Sequence, residues 1–307
     1  MSNLPQFKEI ELGDKEWADP LLAVSDYRAT EYCFTSLYIW ARFFGTRIAR
    51  WKDWMLIRSE GEDGCANYIF PAGSGDVREV IGIMEEDAAS IGKRLVLWTI
   101  EETRKKIEEA VPGRYTFSPV RSSFDYIYRT DSMISLTGKK YQPKRNFISR
   151  FKTLNPDWTY ESICADTDPE TCRRQLEECR KMTDEWCALN GCRHNQSMQM
   201  ESCAVRKALH DFVPLKLRGG MLRCGGRLVA YTIGERLNSD TFIVHVEKAF
   251  SDVTGAYPMI NRTFLEHEAA GLEYVNREDD AGDEGLRKAK LSYHPEYMLE
   301  KYLAVRR

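Results

Sequence analysis

No stretch of this sequence stays apolar for the ~18–20 residues that a membrane-spanning helix needs. The most apolar run, YCFTSLYIWARFFG, is short and broken by Arg42. The N-terminal MSNLPQFKEIELGDKEW lacks the apolar core of a secretion signal. Strong charge of either sign is missing as well. A net charge of -3 and a pI near 6.1 give no general pull toward nucleic acid or anionic lipid. Any polyanion site must therefore be a local patch. The nine cysteines are scattered without C-x-x-C spacing, which predicts free thiols in a reducing, cytoplasmic compartment. Cys187-x4-Cys192-x-His194 is not a zinc spacing, and no metal is expected. Neither G-x-S-x-G nor H-E-x-x-H occurs, so the nucleophile elbow and the zinc-protease helix find no support.

What is present is a 307-residue chain that is 43% apolar, enough for a sizeable core in two domains or one large one. Two passages share a layout. In the first, WMLIRSEG and CANYIF read as strands, PAGSGD as a turn and VREVIGIMEEDAASIG as a helix capped by Asp76. RLVLWTI then reads as a strand and EETRKKIEEA as a helix ended by Pro112 and Gly113. In the second, GGMLRCGGRLVAYTIGERL is a hairpin turning at Gly225-Gly226, followed by the strand DTFIVHVEKA. The turn SDVTGAY leads into the helix PMINRTFLEHEAAG, then the strand LEYVNRED, the helix DEGLRKAKLSY and a last strand EYMLEKYLAV. Helices precede both copies. The basic stretch TGKKYQPKRNFISRFKTLNPDW separates them. The expected organisation is an N-terminal half over 1–137, a basic linker helix over 138–157 and a C-terminal half over 158–307, the likelier active half.

Two helices, a hairpin, a central strand, a loop-led helix, then strand, helix and strand is the order of the GNAT acyltransferase superfamily. Two such halves resemble the Fem-type aminoacyltransferases and the C-terminal domain of phosphatidylglycerol lysyltransferase. The segments GKKYQPKRNFISRF, FIVHVEKA, GAYPMIN and VNREDDAGDEGLRKAKLSYHP resemble most the bacterial family named for that domain. The resemblance implies an α/β fold (an α+β mixed sheet) of two tandem GNAT-like halves.

Candidate site residues fall in four places. GNAT proteins hold the coenzyme A pyrophosphate on amides of a turn of type Arg/Gln-x-x-Gly-x-Gly/Ala. Here the corresponding window is Asp252 to Tyr257, with Gly255 in place but Asp252 and Tyr257 departing from the pattern. If Asp252 turned inward, it would cap the turn's amides itself. Backbone near Lys248, Ala249 and Phe250 and near Gly255, Ala256 and Tyr257 would hold the donor. The equivalent first-half turn, Phe70 to Gly75, lacks a leading cation and reads as a capped helix start. On the central strand, His245 and Glu247 share a face, and either could take a proton from an amine nucleophile. The bland alternative is a hydrogen-bonded histidine and an ion-paired glutamate. At the next strand end, Asn276, Arg277 and Glu278 are candidates for substrate binding, Arg287 and Lys290 for a phosphate or carboxylate, and Tyr293 for a proton donor. The same charges also suit a helix macrodipole. In the linker, six bases from Lys139 to Lys152 occur with no acid and with Tyr141, Phe147 and Phe151 interleaved. Lys144, Arg145 and Asn146 are its candidate contacts for a tRNA end or a cofactor phosphate. A solvated helix that packs Phe147 and Phe151 would look the same.

The expected function is transfer of an acyl or aminoacyl group, from a coenzyme A thioester or an aminoacyl-tRNA, to an amine. The alternative is a non-catalytic binding protein that keeps the GNAT-like fold.

Overall fold

A computed structural model describes residues 4–62, 64–165 and 167–307; the first three residues of the N-terminal segment lie outside the described residues. In the N-terminal part, β1 (Lys8–Glu9) and the helices α1 (Lys15–Ser25) and α2 (Phe34–Phe44) precede β2 (Arg47–Trp51), β3 (Trp54–Glu60) and β4 (Cys65–Gly73). Next come α3 (Val77–Ser90), β5 (Arg94–Ile100), α4 (Glu101–Ala110), β6 (Tyr115–Pro119) and β7 (Asp125–Arg129). Then follow α5 (Thr130–Ser135), α6 (Gln142–Leu154), β8 (Thr159–Ser162), α7 (Pro169–Leu189) and α8 (Gln196–His210). The chain continues through β9 (Arg218–Cys224), β10 (Arg227–Arg236), β11 (Thr241–Ala249), α9 (Ala256–Glu268) and β12 (Tyr274–Asn276). It ends with α10 (Glu284–Leu291), β13 (Tyr297–Leu299) and β14 (Lys301–Arg306). Local chemistry accounts for the boundaries. Asp76 caps α3 at the Glu79 amide, Asp168 caps α7 at the Glu170 and Thr171 amides, and Gly225 and Gly226 (φ 55° and 77°) turn the β9–β10 hairpin.

Two mixed seven-stranded sheets result, ordered β1-β2-β3-β4-β5-β14-β6 and β13-β7-β12-β11-β10-β9-β8. Each contains a parallel pair that separates. In the first sheet, β4 pairs with β5 from Cys65 to Ile69 and then runs on to Gly73 against β3 alone. The Tyr32 hydroxyl donates to the Phe70 carbonyl at 2.9 Å, so a buried side chain occupies that split. In the second sheet, β11 pairs with β12 over only Thr241 to Ile243, while β10 follows it to Ala249. Val244 and Val246 face Gly234 and Ile233, leaving His245 as the extra residue of a β-bulge.

The compact units cut the chain differently from the expected halves. One comprises Met1–Tyr126, Glu278–Arg287 and Met298–Arg307; the other comprises Ile127–Arg277 and Lys288–Tyr297. The chain passes between them inside β7, whose residues from Ile127 pair with β12. The stretch 138–157 is therefore not a linker but part of the second unit. There, Ile148 and Phe151 of α6 join the core cluster with Ala249, Ala256, Met259 and Ile260. Phe151 is fully buried, whereas Phe147 is 49% exposed, so only one of the two expected aromatics packs. The last strand is also two strands. β13 belongs to the second sheet and β14 to the first, where it pairs with β5 and β6.

The cysteines need one correction. Cys164 and Cys172 form a disulfide, their Cα atoms 4.5 Å apart, and among the described residues the other seven form none. No helix among the described residues is long and apolar enough to cross a membrane.

Within the first unit, the buried Lys301 Nζ lies 2.8 Å from Asp125 and 2.7 Å from Glu31. Burial alone would discharge this lysine, but the two carboxylates hold it charged, above its ordinary value. Lys301→Met strands Asp125, and urea denaturation is expected to show a loss of about 3–5 kcal/mol. Adding Asp125→Asn should recover more than half of it.

Candidate functional site

The site forms where β11 loses its neighbour. Past Ile243 the strand carries Glu247 toward α9 and the end of β12. Glu247 Oε1 lies 3.1 Å from Arg277 Nη2, and Oε2 accepts from Asn261 Nδ2 at 2.7 Å. The ion pair is largely buried, at 11% and 12% side-chain exposure. The position of Arg277 is set twice over: Lys290 Nζ donates to its carbonyl at 2.6 Å, and the Tyr128 hydroxyl donates to the Lys290 carbonyl at 2.8 Å. Its guanidinium lies 4.9 Å from the Tyr293 ring centroid and 5.9 Å from that of Tyr128. Burial works against the Arg277 charge; Glu247 leads the groups that oppose this, and the pKa ends above its usual value.

Lys144, from α6, stands over the same Tyr293 ring at 3.8 Å and donates to Ser292 Oγ at 2.7 Å. Burial, then repulsion by Arg277, pushes its pKa down to about 8, with Glu247 opposing. Burial pushes the Tyr293 phenol up, so it stays protonated through the physiological range. Two cations therefore contact one aromatic ring, and one of them also pairs with Glu247. Among the described residues, two buried polar atoms of this cluster have no hydrogen-bond partner: Arg277 Nη1, a donor, and Asn261 Oδ1, an acceptor. Orphaned buried polar atoms are uncommon in folded proteins, and here they flank the same carboxylate.

The structure thus brings together Glu247, Arg277, Tyr293, Lys144 and, as a support, Lys290. The other candidates are engaged elsewhere. His245 Nε2 lies 3.1 Å from Glu235 Oε1 on β10, with its side chain buried. Lys248 points to the opposite face of β11, where Nζ meets Glu201 at 2.7 Å over the Trp186 ring at 3.7 Å. The Phe250 amide is used by the Val229 carbonyl at 3.0 Å, and Ala249 and Ala256 are core residues. Asn276 is buried in β12. Glu278 takes a left-handed conformation (φ 57°), and its carbonyl accepts from the Tyr126 amide. Arg287 lies in the other unit, where it clamps Asp280 with both arms at 2.9 and 3.0 Å. Arg145 folds back on the Leu136 and Gly138 carbonyls, and the exposed Asn146 accepts from Gln142 at 2.7 Å.

The glycine turn has its own explanation. Gly255 has φ 84°, and a Cβ there would sit 2.3 Å from the Phe147 carbonyl oxygen, so the glycine admits the α6 backbone. Asp252 is 70% exposed and turns toward Arg227, 4.0 Å away, rather than inward over the amides. Burial pushes the Tyr257 phenol up, with the Ala249 amide and the Trp186 indole opposing.

Asn261, Tyr128 and Ser292 were missed. Asn261 had a readable signal. Helical spacing puts it on the face of Tyr257, Ile260, Phe264 and Leu265, a polar residue in a core stripe. Tyr128 and Ser292 had none, since they reach the site through long-range pairing.

Comparison with known proteins fits this architecture. Residues 23–305 match the family described as phosphatidylglycerol lysyltransferase, C-terminal. A conserved protein of unknown function from Bacteroides thetaiotaomicron VPI-5482 superposes with a TM-score of 0.91 at 36% identity, covering 99% of this chain and 100% of that one. The C-terminal domain (DUF2156) of a putative lysylphosphatidylglycerol synthetase from Agrobacterium fabrum superposes at 0.68 with 15% identity, over 96% of this chain and 92% of that one. An uncharacterized protein of Mycoplasmoides gallisepticum is 26% identical over 200 residues, which span 64% of this chain and 60% of that protein, less than two thirds of its length. The fold class is the expected mixed α/β arrangement, with two seven-stranded sheets.

Two outcomes follow from the geometry. Gly255→Ala should cost about 1–3 kcal/mol in chemical denaturation, because the α6 backbone has to move. Lys144 binds its proton less tightly folded (about 8) than in its ordinary state at 10.5. Between those values the unfolded chain holds more protons, so stability contributed by this group rises with pH. Unfolding titrations from pH 7 to 10.5 should show wild type gaining on Lys144→Met as pH rises.

Proposed function

Because the chain belongs to the phosphatidylglycerol lysyltransferase C-terminal family, we propose that it transfers an aminoacyl group from an ester donor to an amine or hydroxyl nucleophile at the Glu247–Arg277–Asn261 cluster. The observation that carries this reading is the pair of buried, partnerless atoms, Arg277 Nη1 and Asn261 Oδ1. A donor and an acceptor side by side suit an α-aminoacyl ester, which offers a carbonyl oxygen and an ammonium. Arg277 Nη1 takes the carbonyl oxygen and stabilises the oxyanion that forms on attack. Asn261 Oδ1, with the Glu247 carboxylate behind it, takes the ammonium. Tyr293 walls the pocket and keeps its proton.

The donor in this reading is an aminoacyl-tRNA. Two features weigh toward it over a coenzyme A thioester. The Gly255 turn is approached by the Phe147 carbonyl oxygen, an electronegative neighbour for a pyrophosphate. The exposed residues of α6 and its approach include Lys139, Lys140, Arg150 and Lys152, a local basic surface suited to a polyanion. The lysyl group in the family's name makes lysyl-tRNA the first donor to test.

The test is release of labelled amino acid from lysyl- and alanyl-tRNA to a panel of acceptors: phosphatidylglycerol vesicles, free amino acids and small amines. Transfer by wild type, reduced about 10²–10³-fold in Arg277→Met and substantially in Asn261→Ala, is the expected result. Salt-sensitive tRNA binding without turnover on any acceptor would make the chain a binding protein instead. Transfer only from acetyl-coenzyme A would reassign the donor.

A further inference from the structure

The proposed reaction needs a group that removes the nucleophile's proton, and Glu247 is poorly placed for it. Both of its oxygens are taken, one by Arg277 at 3.1 Å and the other by Asn261 at 2.7 Å. His245 is held by Glu235. Lys144 is in a different situation. Its Nζ is held by one neutral acceptor, Ser292 Oγ at 2.7 Å, and by the face of Tyr293 at 3.8 Å. Ser292 Oγ donates its own proton to the Ala289 carbonyl at 2.6 Å, so it presents a lone pair to the lysine. Among the described residues, no carboxylate lies within ion-pair distance of that Nζ.

The charged and titratable groups that face Lys144 come from several elements. Arg277, at the end of β12, shares the Tyr293 ring at 4.9 Å and repels it. Glu247, on β11, attracts it but is spent on Arg277. Tyr293 stays neutral. On its own helix, Arg145 is folded away onto the Leu136 and Gly138 carbonyls. Lys140 stands over the Tyr141 ring at 5.0 Å, and His294 packs edge-on against that ring at 5.5 Å.

We infer that Lys144, in its neutral form, is the general base of the transfer and that Glu247 is a positioning residue for Arg277 and Asn261. The inference rests on the transfer activity proposed above. As the nucleophile's lone pair bonds to the donor carbonyl carbon, its proton moves to Lys144 Nζ. The bond from that carbon to the ester oxygen then breaks, and the Lys144 ammonium returns the proton to the leaving oxygen. A lysine beside a second cation is a known way to make an amine basic enough to act and neutral enough to be available. With its pKa pushed down to about 8, a useful neutral fraction exists near neutrality.

The experiment is the pH dependence of kcat/KM for wild type, Lys144→Arg and Glu247→Gln, with Lys144→Ala assayed in added primary amines. Wild type should lose activity about tenfold per pH unit below an inflection near 8. Lys144→Arg, permanently protonated, should fall by about 10²–10⁴-fold and lose the inflection. Glu247→Gln should be slower yet keep the inflection. Methylamine or ethylamine should partly restore Lys144→Ala. Transfer by Lys144→Arg at the wild-type rate, or an inflection lost with Glu247→Gln instead, overturns the assignment. Acetic anhydride labelling read by mass spectrometry provides a measure that needs no turnover. Lys144 should be half-reactive near pH 8, well below the exposed lysines, and labelling that follows theirs also overturns it. If wild type transfers from no donor while Lys144 labels as expected, the functional reading fails and the base assignment fails with it, a pattern distinct from failure of the assignment alone.

Discussion

Everything in the candidate site depends on β12 leaving β11 after three paired residues. A parallel pair that continued would cover the edge of β11 with main chain and bury Glu247 against a neighbouring strand. The bulge at His245 begins two residues after the last pair, Ile243 with Asn276. A bulge bends its strand and increases its twist, which carries the rest of β11 away from β12. The gap is lined by side chains from both strands and from α9, and so it collects groups that are far apart in sequence.

Electrostatics then decides what those groups do. Burying Glu247 with one arginine and one asparagine gives a fixed carboxylate with both oxygens engaged. The second cation, Lys144, has no carboxylate within ion-pair distance among the described residues and shares an aromatic ring with Arg277. Repulsion and partial desolvation act on the side chain that can respond by losing its proton, because a guanidinium does not. The first unit shows the contrast. Lys301 has two carboxylates in contact and is held charged, while Tyr32 occupies the split between β4 and β5. Two buried lysine and arginine environments thus differ: Lys301 meets two carboxylates, whereas Arg277 meets one and keeps Nη1 without a partner.

Much of this was readable in advance. Helical spacing, the Asp76 cap and the two-glycine hairpin place α3 and β9–β11 within two residues, because those signals are local. Arg277, Tyr293 and Glu247 were also singled out, since polar residues on or beside strands that should be buried stand out in an alternating pattern. The misses share a cause. Cys164 and Cys172 pair through a turn geometry that spacing does not encode, and the supposed linker 138–157 is core because α6 packs on α9. Arg287 looked like an anion binder and is instead a bidentate clamp on Asp280. Gly255 looked like a phosphate turn and is a point of close helix approach.

The sequence by itself determined the element order, the tandem α/β architecture and the presence of a polar group on the central strand of the second sheet. Period and capping are properties of neighbouring residues, so one chain read once reveals them. Which strand closes which sheet, where the chain passes from one unit to the other, and which of the many charged residues meet were decided only by tertiary structure. Lys144 and Ser292 lie 148 residues apart, and nothing local to either states that they touch. Their contact, and the contacts of Lys144 and Arg277 with the Tyr293 ring, follow from how the elements pack, where long-range pairing rather than local preference sets the geometry.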